Sequence, residues 1–149
     1  MFITHFIPKM RSMIIAGALL SGATLAVSGL PAMADTTAAV QTKSCGTNVA
    51  NLVSQCTSVT HSGTHVTSLS GWATHLWYDI LSYPSVHEEL YGPNGHIKNC
   101  RTISSWPPGD VTPTCTASLN VTKAGNYCSR TWSLSGTTWK ILATECVPV

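Results

Sequence analysis

Six cysteines, Cys45, Cys56, Cys100, Cys115, Cys128 and Cys146, all lie beyond residue 44 of the chain. An even set in a small exported domain reads as three disulfides. Zinc is the competing use of such a set, but no Cys-x-x-Cys pair occurs. Each crosslink contributes about 2–4 kcal/mol by restricting the unfolded chain. Three of them allow a domain whose core alone would be modest. Spacing does not choose the partners. Cys128 and Cys146 form the obvious local pair, but a bridge from Cys128 to Cys100 or Cys115 is equally open.

Export is read from the N-terminus. Lys9 and Arg11 precede an uncharged apolar run, Met13 to Leu30, and Ala32-Met33-Ala34 fits a small-x-small cleavage signal. Residues 1–34 are therefore expected to be a signal peptide, and the protein to be secreted. Removing residues 1–34, Lys9 and Arg11 among them, leaves 115 residues with six basic and six acidic side chains. The basic balance of the full chain belongs to the leader. Nothing resembles the basic stripe that nucleic-acid binding needs. Ser and Thr supply 32 of those 115 residues. β-Branched Thr suits a pleated surface, and Ser competes with helical backbone bonds, so strands are expected over helices.

The predicted organisation is a flexible tail over 35–44 and one domain over 45–149. Val49, Leu52, Val53 and Cys56 fall at i, i+3, i+4 and i+7, which predicts one short helix. "THVTSLS" and "WATHLWYDIL", Trp72 to Leu81, read as strands. "VHEELYGPNG" and "HIKNCRTISSW" read as a hairpin turning at Pro93-Asn94-Gly95. "PPGDVTPT" reads as a loop. Cys115–Thr122, Tyr127–Leu134 and Thr138–Val147 alternate and are joined by turn-like links, which predicts a three-stranded meander.

A register argument applies to the last hairpin. A loop of Ser135 to Thr138 pairs Leu134 with Trp139, so that Trp132, Leu134, Trp139 and Ile141 share a face. That register buries the most apolar area, which places both tryptophans in the core. It also sets Cys128 and Cys146 on opposite faces unless a β-bulge intervenes.

Catalytic patterns are weak. His61 and His65 have i, i+4 spacing, but "HSGTH" is a poor helix and so a poor metal pair, although as a loop it leaves open a zinc or copper site shared with His75 or an acid. No Gly-x-Ser-x-Gly elbow is present. Glu88 and Glu89 are neighbours that would face opposite ways on a strand, so a paired-carboxylate cleft would need Asp79 or Asp110 as the partner of one of them. No phosphate loop or other cofactor motif occurs, and no cofactor is expected. Binding is better supported. Trp72, Trp77, Tyr78, Tyr83, Tyr91 and Trp106 exceed what one face of a small core holds, and those left outside suit a protein or sugar surface. Trp106, beside Pro107-Pro108, is the one expected to be exposed. The tail, including Val40, is read either as plain disorder or as a strand that adds to a partner's sheet. Val40, Trp72, Tyr91 and Trp106 are thus the candidate partner-binding residues.

"ELYGPNG", "GNYCSRTWSLSG" and the terminal "ATECVPV" in an exported chain resemble small immunoglobulin-like secreted proteins of actinobacteria. In size, leader and hairpin layout the chain is similar to the adaptor subunits of umbrella toxin particles. The resemblance covers most of the chain beyond residue 34. It implies a non-enzymatic linker between a lectin-type subunit and a toxin scaffold, with residues 35–44 docking on a partner. The expectation is an all-β, disulfide-stapled, immunoglobulin-like sandwich that binds other secreted proteins. An independently acting secreted inhibitor or antimicrobial protein is the second reading. A small hydrolase or metal-dependent enzyme is the third.

Overall fold

The computed structural model describes residues 37–77 and 82–149. The expected leader, the start of the tail at Asp35-Thr36, and Tyr78 to Leu81 lie outside the described residues. Eight strands form: β1 Val40–Asn48, β2 Val53–Ser62, β3 His65–His75, β4 Val86–Gly92, β5 Gly95–Asn99, β6 Cys115–Thr122, β7 Asn126–Ser135 and β8 Thr138–Pro148. They make two four-stranded antiparallel sheets, β1-β2-β3-β6 and β5-β4-β7-β8. The expected all-β, disulfide-stapled sandwich is what the chain forms. It has the two-layer architecture that immunoglobulin domains also have, but the strand order differs from their ABED/CFG arrangement.

All six cysteines pair, as Cys45–Cys56, Cys100–Cys115 and Cys128–Cys146. Two bridges cross hairpins between directly opposed residues, each with a Cα–Cα distance of 4.1 Å. The third ties the end of β5 in the second sheet to the start of β6 in the first. The sequence left open a bridge from Cys128 to Cys100 or Cys115, and it does not form. The β7–β8 register is the expected one, with Leu134 opposite Trp139. A bulge then inserts Leu142, so that Leu142 and Ala143 are both buried and Cys146 returns to the side of Cys128. The turn has Gly136 at φ 63°, where a side chain would be strained.

Three local expectations are corrected. The helix at Val49 to Cys56 is absent. Asn48 Oδ1 instead accepts from the Ala50 and Asn51 amides, closing a turn, and β2 begins at Val53. A segment this short cannot offset helix nucleation, whereas the Cys45–Cys56 crosslink holds the two strands in register. The tail is not flexible throughout, because Val40 to Ser44 pair with His61 to Thr57 as the first half of β1. The last three strands are not a meander. β6 lies beside β3 in the first sheet, and the chain crosses to the second sheet before β7.

The interior holds two apolar clusters. One gathers Val59, Val66, Leu69, Leu90, Tyr127 and Val147. The other gathers Val53, Ala73, Val86, Trp106, Leu142 and Ala143. Between the sheets also lies a seam of buried polar side chains: Gln55, Thr57, Glu88, Ser129 and Thr131. Gly71 shows how closely the sheets approach there, since a Cβ on it would stand 2.2 Å from the Ser129 Cβ.

Candidate functional site

Alternation on β4, β7 and β8 sends one set of side chains into the seam and the other outward. The outward set carries His87, Glu89 and Tyr91 from β4, Arg130 and Trp132 from β7, and Trp139 and Ile141 from β8. His87 sits opposite Trp132, and Trp132 opposite Ile141. The sequence expectation that Trp132 and Trp139 are core residues is overturned. Trp132 is half-buried, while Trp139 is 37% and Ile141 44% exposed. They do share one face, as the register required, but it is the outer face.

The imidazole of His87 lies between the two indoles, edge-on to Trp139 at 4.5 Å between centroids and nearly parallel to Trp132 at 6.3 Å. Burial pushes the His87 pKa down, partly opposed by the charge of Glu89. Trp132 Nε1 donates to Glu89 Oε2 at 2.8 Å, and Arg130 Nη1 stands 3.7 Å from the same oxygen. The Arg130 guanidinium covers the Tyr91 ring at 3.8 Å. His87, Glu89, Asn99, Trp132 and Trp139 line a shallow, open depression of about 210 Å³. His87 and Asn99 also line a neighbouring cleft of about 280 Å³, which continues past Lys98 and Arg101 to Thr112 and Thr114.

A second uncovered place lies against the first sheet, beyond the end of β3. Trp77 is 81% exposed and lies over Gly109, while Val111, bridged to Thr74 of β3, is 56% exposed. Sequence reasoning counted Trp77 among the excess aromatics but did not single it out.

The four named binding candidates are scattered. Val40 starts the edge strand β1 and is 54% exposed. Trp72 is half-buried on the outside of the first sheet, with Lys43 Nζ 4.7 Å above its ring. Tyr91 belongs to the outer face of the second sheet. Trp106 is not exposed, being 1% accessible. Its loop folds back so that the indole plugs the end of the sandwich against His75 and Tyr83, and Nε1 donates to the Asp110 carbonyl at 3.1 Å. The sequence therefore missed His87, Glu89, Asn99, Trp132, Trp139 and Ile141 as surface residues.

The groups considered for catalysis are placed apart. Glu88 faces the seam and Glu89 the outside. His61 bonds Thr42 Oγ1 and the Gly63 carbonyl, and His65 bonds Thr122 Oγ1. Among the described residues no group of three His, Cys, Asp or Glu side chains converges as a metal site, and no helix is long and apolar enough to cross a membrane. Three disulfides fit an oxidising environment. No family model matches the chain, and comparison with curated proteins and with solved structures gives no match either.

Proposed function

We propose that this is a secreted, non-enzymatic binding module, an adaptor that joins other secreted molecules, at least one of them a protein. One observation carries the reading. Among the described residues a tryptophan is exposed in two places, each beside an exposed aliphatic side chain: Trp77 with Val111 beside the first sheet, and Trp139 with Ile141 outside the second. Uncovered aromatic side chains on a rigid scaffold are the usual anchors of an interface. Two such places suit a molecule that holds two partners. The crosslinks fit this role, because they rigidify the scaffold and so lower the ordering cost of binding.

Affinity capture from culture supernatant tests it. The bait is the protein without its leader, beside Trp77→Ala and Trp139→Ala forms. An adaptor recovers at least one protein with the native bait and loses it with Trp77→Ala. If no protein depends on either tryptophan, the reading fails.

A further inference from the structure

We infer that the depression on the outside of the second sheet is a carbohydrate site that takes a pyranose ring. This rests on the binding-module reading and names the ligand class of one of its two surfaces. A pyranose presents an apolar C–H face and a rim of hydroxyls. The depression offers the complement of both. Trp132 and Trp139 supply aromatic surface with the His87 ring between them. Glu89 and Asn99 supply planar polar groups at the same rim.

Glu89 is held in place before any ligand arrives. Trp132 Nε1 and Arg130 fix its Oε2, which leaves Oε1 to accept a hydroxyl in a charge-assisted hydrogen bond. Arg130 is itself steadied over Tyr91. A neutral imidazole at His87 offers one donor and one acceptor, which is what hydroxyl groups require. A protein hot spot places its aromatics in a well-packed, desolvated pocket ringed by contacts that exclude water. This depression is instead shallow, open and interleaved with polar groups. Its continuation past His87 and Asn99 into the cleft of about 280 Å³ gives the ligand a direction. A chain of more than one sugar ring fits that path, with the first ring on the tryptophans and the next toward Lys98 and Arg101.

The test uses the folded protein without its leader and a panel of hexasaccharides built from β-linked glucose, N-acetylglucosamine, mannose or xylose, or from α-linked glucose. Binding is read from the indole N–H resonances and from tryptophan fluorescence. At least one panel member should move the Trp132 and Trp139 indole signals. Trp139→Ala, an exposed position, should weaken that binding about tenfold or more, while Trp77→Ala leaves it unchanged. Glu89→Gln keeps the shape of the side chain and should also weaken it. If no panel member moves the two indole signals, or if Trp139→Ala binds sugar like the native protein, the inference is wrong. A protein captured through Trp139, with no sugar bound, would overturn the sugar site and leave the binding-module reading intact.

Discussion

Thr131 and Trp132 are neighbours on β7 that point to opposite sides of the second sheet. Thr131 enters the interior, where its hydroxyl meets Glu88 Oε1 at 2.7 Å and the side-chain carbonyl of Gln55. Trp132 stays outside, against His87 and Glu89. The same exchange runs along the two faces. Ser129, Thr57, Gln55 and Glu88 are buried inside, while Trp139 and Ile141 stand in solvent. The cause on the inner side is distance. The sheets come together at Gly71 and Ser129 too closely for large apolar groups. Small polar residues fit there provided they bond one another. Ser129 Oγ meets Thr57 Oγ1 at 2.6 Å and accepts from Gln55 Nε2 at 2.7 Å, and Thr112 Oγ1 donates to Glu88 Oε1 at 3.0 Å. Such a network stabilises only when all its members are satisfied. Nothing comparable constrains the outer face, which is free to carry what a ligand needs.

The largest expected effect breaks the inner side. Glu88→Ala leaves the donors of Gln55, Thr112 and Thr131 without their shared acceptor, and should cost about 3 kcal/mol in urea unfolding. A smaller effect sharpens it. Burial pushes the Glu88 carboxyl pKa up, against the hydrogen bonds from Thr131, Gln55 and Thr112 that pull it down. Its folded value therefore lies above its unfolded one. The corresponding stability is fully present below the ordinary glutamate range and is lost as pH rises through the folded value. Glu88→Gln removes this titration. The stability difference between native protein and Glu88→Gln should then shift in favour of the variant as pH rises from about 4 to about 8. His87 is common to both proteins and drops out of the difference. A flat difference would mean that Glu88 titrates as it does in the unfolded chain. The smallest effect belongs to the outer face. Trp139→Ala should change stability by less than about 1 kcal/mol, because its indole loses little beyond the edge contact with His87. A loss as large as that of Glu88→Ala would make the tryptophan part of the fold.

Much of this fold is legible in the residues. Alternation and turn chemistry place the β4–β5 and β7–β8 hairpins, and the Leu134–Trp139 register follows from apolar matching alone. The even cysteine set announces three bridges. What local pattern does not contain is the choice of face. Burying Trp132, Leu134, Trp139 and Ile141 removes more apolar area than burying Thr131, Ser133, Leu142 and Ala143, so a two-strand argument prefers the wrong side. The deciding groups, Gly71 on β3, Gln55 on β2 and Glu88 on β4, are distant in sequence and meet only when the sheets stack. The bulge at Leu142, which hides two apolar residues in a row, is equally invisible to strict alternation. β6 misleads for a related reason, since its short link to β7 looks like a hairpin turn but crosses between sheets. The prolines beside Trp106 point to an exposed loop, whereas its burial depends on Tyr83 and His75 from elsewhere. Of the candidate site, only Tyr91 stands out from sequence as a binding residue. Tryptophan alternating with serine gave the clue to the rest, read as core.

The central claim is that the tryptophans of the last hairpin are kept outside while polar groups occupy the seam between the sheets. Hydroxyl-radical footprinting of the native protein, read residue by residue by mass spectrometry, tests it most directly. Trp77 and Trp139 should be oxidised fast, Trp132 more slowly, and Trp106 hardly at all. Trp139 as protected as Trp106 would contradict the account.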